Sequence, residues 1–104
     1  METEQVNKIA ELNDAFRRGG FGVVTTIGVR ELDDVGGLLR AVRMFDTFTE
    51  DNDPHGEHDF GTISWKGQKV FWKLDYYDLS LRYGEHPLSR KCRRILTVML
   101  ADEY

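Results

Sequence analysis

One cysteine, Cys92, stands in the 104 residues, so no disulfide can close within the chain, and a reducing compartment is the simplest setting. Prolines number two, Pro54 and Pro87, and no Pro- or Ser-rich tract reads as a linker between domains. No apolar run approaches the roughly 18 residues that a membrane span requires. The opening Met1-Glu2-Thr3-Glu4-Gln5 is acidic and polar, with neither the basic nor the apolar region of a secretory signal. A surplus of positive charge is missing too. The net charge of −4 speaks against a dedicated nucleic-acid binder, which is normally basic. These absences predict one cytoplasmic domain over residues 1–104, with no membrane association. A 12% share of aromatics argues against disorder.

What is present is unevenly spread. From Asp46 to Asp59 the chain carries six carboxylates and two histidines with no Lys or Arg, and near the other end Arg90, Lys91, Arg93 and Arg94 form a basic knot. The densest chemistry lies in Asp51-Asn52-Asp53-Pro54-His55-Gly56-Glu57-His58-Asp59 and in the aromatic segment that follows, Phe60 to Tyr77.

Helical spacing of Val6, Ile9, Ala10, Leu12, Asn13 and Phe16 predicts a helix over 4–18, with Thr3 as N-cap. Arg17 and Arg18 suit its negative C-terminal end. Gly19-Gly20 would stop it through the left-handed conformation. The β-branched run within Phe21–Val29 predicts a strand. Asp33 or Asp34 can cap a second helix reaching about Phe45, weakened at its start by Gly36 and Gly37. Strands are expected at His58–Trp65 and Lys69–Tyr77, joined by a tight turn at Lys66-Gly67. The segment 94–101 fits a strand better, with a helix as the alternative. The order α-β-α-β-β-β implies an α+β fold, an antiparallel sheet of about four strands with two helices.

Whether the connecting loop has two or four residues, the hairpin's side chains sort by the period of two. Gly61, Ile63, Trp65, Val70, Trp72, Leu74 and Tyr76 share one face. His58, Phe60, Thr62, Phe71, Lys73, Asp75 and Tyr77 share the other, and a two-residue loop would place His58 opposite Asp75. Two helices covering two apolar faces would leave each partly open, so Phe60, Phe71 and Tyr77 form a candidate interface for a homodimer or another protein.

No catalytic set is complete. Asp51-x-Asp53-x-His55-Gly56 imitates the opening of a calcium loop, but His55 replaces an oxygen ligand and Thr62 stands where the bidentate glutamate belongs. Asp53-Pro54-His55-Gly56 suits a type I turn, with Pro and Gly at their favoured positions. The glycines at 19, 20 and 22 precede a strand rather than a helix and so do not cradle phosphate. No cofactor, metal or catalytic residue is assigned. The candidate functional surface comprises Asp51, Asp53, His55, Glu57, His58, Asp59, Asp75 and Tyr77.

The stretch Phe45-Asp46-x-Phe48-Thr49-x-Asp51 to Gly61 resembles an uncharacterised bacterial family of small proteins. So do Phe71-Trp72-Lys73-Leu74-Asp75-Tyr76-Tyr77-Asp78, Leu96 to Ala101 with Glu103-Tyr104, and Glu11 to Arg17. The chain departs from the family's pattern at Gly36-Gly37 and in 84–91. The resemblance brings no activity with it; it implies a setting on plasmids and other mobile elements. With the small size and segregated charge, the expected function is a non-catalytic interaction protein that modulates or inhibits a host system. The alternative is a metal-assisted hydrolase or nuclease using His55, His58, Asp59 and Asp75. A third reading, nucleic-acid contact through Arg90–Arg94, is disfavoured by the overall charge.

Overall fold

The hairpin at one edge of the sheet follows from two residues. In a computed structural model of the chain, which describes residues 2–104, Lys66 and Gly67 have φ of 49° and 83°. Positive φ at both positions matches the right-handed twist of two antiparallel strands. Strands β2 (Phe60–Trp65) and β3 (Gln68–Tyr77) therefore pair with Trp65 opposite Gln68 and Gly61 opposite Trp72, and the expected division of faces holds.

The last segment is a strand, β4 (Arg93–Leu100), antiparallel to β3 with Trp72 opposite Val98. Its apolar residues imitate helical spacing because both faces are used. Leu96 and Val98 are buried on one side and Met99 on the other.

The expected strand over Phe21–Val29 is only partly formed. Strand β1 covers Val23–Thr25, after which the Thr26 hydroxyl accepts the Val29 amide at 3.4 Å and starts a short helix, α2 (Ile27–Arg30). A threonine that can cap ends the strand inside a β-branched run. Strand β1 lies parallel to β4, so the strand order is β1-β4-β3-β2 and the sheet is mixed, not wholly antiparallel. A parallel neighbour needs only a long crossover, which the intervening helices and hairpin supply.

Helix α1 spans Glu2–Gly19 and α3 spans Val35–Arg43, so among the described residues there are three α-helices where two were expected. Thr3 lies inside α1 instead of capping it. The stop at Gly19-Gly20 is tight, with Gly20 N–H on Phe16 O at 2.6 Å, but neither glycine is left-handed. Asp34 caps α3 through the Gly37 amide at 3.0 Å. A final 3-10 turn covers Ala101–Glu103.

The helices do not split between the faces. Val29, Leu38 and Val42 bury against Val70, Trp72, Leu74, Leu96 and Val98, with Phe16, Phe45 and Phe48 packed around them. Trp72 is the centre of this layer, wholly buried and edge-on to Phe45 at 5.4 Å and Phe48 at 6.2 Å. Gly61 is required by that packing, since a Cβ there would collide with the Trp72 indole. On the other face Phe60, Phe71 and Tyr104 pack on one another at 5.1–6.2 Å. Among the described residues no helix is long and apolar enough to cross a membrane.

Candidate functional site

The acidic loop begins as expected. Gly56 N–H bonds Asp53 O at 3.0 Å, closing the Asp53-Pro54-His55-Gly56 turn, and Gly56 takes φ of 69°. Two residues on, His58 also takes a left-handed φ, 56°, which a non-glycine residue adopts only when its surroundings hold it there. The Asp53 carboxylate supplies one hold. It accepts the His58 amide at 3.3 Å and lies 3.7 Å from Nε2.

This twist diverts His58 from the strand path at the point where it would have faced Asp75. The expected His58–Asp75 pair is therefore not made. The imidazole instead lies flat on Phe48, centroids 3.8 Å apart and planes within 4°, and its Nδ1 sits 3.0 Å from both carboxylate oxygens of Asp14. Asp75 pairs with Lys73 at 3.0 Å on the far face of the sheet.

Asp14 leads to the interior. Arg17 has no solvent-accessible surface. Its Nη1 donates to Asp14 at 3.1 Å, its Nε to Val42 O at 3.1 Å and its Nη2 to Phe45 O at 2.7 Å. The guanidinium also stacks over Trp72 at 4.9 Å and Phe48 at 5.4 Å. Arg17 was expected to answer the dipole of its own helix; it satisfies the carbonyls at the exit of α3 instead. Burial pushes its pKa down from the ordinary value, and the bond to Asp14 acts in the opposite sense.

One residue before Asp14, Asn13 is equally buried. Its Nδ2 donates to Glu57 O and to the Tyr76 hydroxyl, both at 2.9 Å, and its Oδ1 accepts from Arg94 Nε at 2.7 Å. Arg94 stacks over Tyr76 at 5.3 Å and donates to Pro87 O at 2.8 Å. Residues 13, 14 and 17 of α1 thus fasten the acidic loop, the exit of α3 and the ends of β3 and β4 together. Asn13 on an otherwise apolar helix face was the available signal, because a buried amide requires partners.

The candidate surface is accordingly not one site. His58 and Asp53 face inward, Asp51 and His55 are exposed, and Asp75 and Tyr77 belong to the far face. Glu57 and Asp59 are half-buried, and burial pushes both carboxyls up. An open cleft of about 330 Å³ runs beside His58, lined by Phe48, Thr49, Glu50, Asp53, Pro54, His55 and Gly56. Among the described residues no group of three or more His, Cys, Asp or Glu side chains is arranged to hold a metal ion. Nor is the basic knot one patch. Arg94 turns inward, while Arg90, Lys91 and Arg93 are exposed. Burial raises the Cys92 thiol, and the neighbouring Arg94 opposes this. A thiol raised in this way is a poor nucleophile at neutral pH.

Residues 25–103 match the protein family described as Protein of unknown function (DUF3768). The chain belongs to that family. No curated protein matches the chain, and no solved structure does. The match to DUF3768 contains the acidic loop, β2, β3 and β4 but begins after α1, so Asn13, Asp14 and Arg17 reach the loop from outside it.

The network makes stability depend on alkali. Burial pushes the Tyr76 hydroxyl up to about 12 from its ordinary 10.0. Between those values the unfolded chain releases this proton and the folded chain keeps it. The tyrosine's contribution is therefore complete below about pH 10 and lost as the pH rises through about 12. Urea midpoints measured from pH 9 to 12 should fall more steeply for the wild type than for Tyr76→Phe. Equal slopes would show that the hydroxyl is solvated.

Proposed function

We propose that the chain is a small non-catalytic binding protein that contacts another protein through the sheet face opposite its helices. One observation carries this. Among the described residues the α-helices α1, α2 and α3 pack on the Trp72 face, and the other face keeps Phe60, Phe71 and Tyr104 clustered and incompletely covered, with the Lys73–Asp75 pair beside them. An apolar patch rimmed by charge on a small protein usually marks an association surface. Tyr77, also on this face, stands opposite Arg93 of β4 and extends the patch toward the end of the sheet. In the setting the resemblance implies, the partner is a cytoplasmic host component that the protein modulates or inhibits.

The acidic loop supplies no support for a hydrolase or nuclease. His58 is taken up by Asp14, Asp53 and Phe48, and Asp75 by Lys73. Metal analysis of protein purified without chelator tests that alternative, and one bound zinc, manganese or iron per chain would replace the binding reading with it. The binding reading is tested with wild type and Phe71→Lys as baits in an extract of the native host. A partner retained by the wild type and lost by the variant, at unchanged circular dichroism, is the expected result. Equal retention would remove the open face from the function.

A further inference from the structure

The two edges of the sheet are treated differently. Strand β1 is three residues long, and the Arg30 guanidinium covers its Thr25 carbonyl with two bonds of 2.9 and 3.2 Å. Short strands and edge cations are the usual defences against unwanted pairing. Strand β2, at the opposite edge, is six residues long and carries no charge, no proline and no bulge.

Its free groups can be assigned. Asp59 O accepts the Leu74 amide at 2.8 Å, so alternation along an antiparallel ladder turns the amides and carbonyls of Asp59, Gly61, Ile63 and Trp65 toward β3. Those of Phe60, Thr62 and Ser64 point away from the sheet. Among the described residues none of these three has a backbone or side-chain partner on that side. Thr62 and Ser64 are exposed.

We propose that this edge pairs with the β2 edge of a second copy of the chain, antiparallel about a two-fold axis at Thr62. Such an interface is self-complementary, as two-fold symmetry requires. Thr62 meets Thr62 of the second copy, and Phe60 meets Ser64. Six backbone bonds then use all the outward groups, and the Thr–Thr contact is a favourable cross-strand pair.

Charge favours this occupant and this direction. The strand is preceded by Glu57 and Asp59 and followed by Lys66 and Lys69. Among the described residues neither lysine is paired with a carboxylate. Antiparallel self-pairing brings the lysine end of each copy to the acidic end of the other. The product is a continuous eight-stranded sheet with helices on one side and both open faces side by side on the other.

This contact uses the backbone of β2 and not the Phe71 cluster, so the two proposals fail separately. Light scattering coupled to size exclusion, over a range of concentrations, should give wild type at twice the 12.1 kDa of one chain. Thr62→Pro removes one outward amide at a position where an edge strand tolerates proline, and should give one chain with unchanged circular dichroism. Phe71→Lys should remain dimeric. In the wild type, the amides of Phe60, Thr62 and Ser64 should exchange slowly with solvent and lose that protection on dilution. This measurement decides the matter even if Thr62→Pro fails to fold. A monomeric wild type, fast exchange at those three amides, or a dimer broken by Phe71→Lys and not by Thr62→Pro would overturn the proposal.

Discussion

Arg17→Ala is expected to lower folding stability by about 3–5 kcal/mol, the range for removing one partner of a buried charged pair. The side chain is wholly enclosed, so its bonds are made out of contact with bulk solvent. Its loss leaves the carbonyls of Val42 and Phe45 without their side-chain donor where α3 gives way to the acidic loop. Asp14 keeps only His58, and the faces of Trp72 and Phe48 lose the cation stacked on them. Arg17→Lys should recover little. An ammonium cannot reach three acceptors with the planar fork that a guanidinium presents. Urea denaturation of the three proteins measures the effect. A loss under about 1 kcal/mol for alanine would mean that the guanidinium is not the support of the α3 exit.

Asn13→Leu is expected to cost about 2–4 kcal/mol, from leaving several buried polar groups short of a partner at about 1–3 kcal/mol each. Leucine fills nearly the same volume, so the loss reports bonding and not a cavity. Glu57 O and the Tyr76 hydroxyl lose their donor, and Arg94 loses its shortest acceptor while keeping Pro87 O. The effect should also be local. Amide exchange should accelerate at Glu57, His58 and Asp59 well before it does along β3. If the loop is unchanged while overall stability falls, the amide matters for packing α1 and not for holding the loop. Both substitutions bear on function, because they ask whether the loop's unusual composition serves the fold.

Much of the local structure could be read from residue types. Lys66-Gly67 predicted a tight turn, and a two-residue turn determines which side chains share a face of the hairpin. Asp53-Pro54-His55-Gly56 predicted its own turn, and the Asp33-Asp34 pair a helix cap, which Asp34 supplies. Each of these depends on atoms within a few residues of one another, so the chemistry is contained in the string. The apolar character of both faces of β4, and of Phe71 opposite the Trp72 face, was equally visible.

The tertiary structure alone decided the direction of β1, the side on which the helices lie and the use of the histidine. A β-branched run such as Val23 to Ile27 does not reveal that Thr26 will cap a helical turn, nor that the strand before it will run parallel to β4. His58 was expected opposite Asp75 because a strand continues by default. It is turned away by a left-handed backbone held by Asp53, five residues before it, and by Asp14, 44 residues before it. Composition showed that the acidic loop was exceptional, and spacing showed where it turned. Which of its groups face inward was set by the α1 face of Asn13, Asp14 and Arg17, since a buried polar side chain takes its partners from whatever the fold brings within about 3 Å, at any separation in sequence.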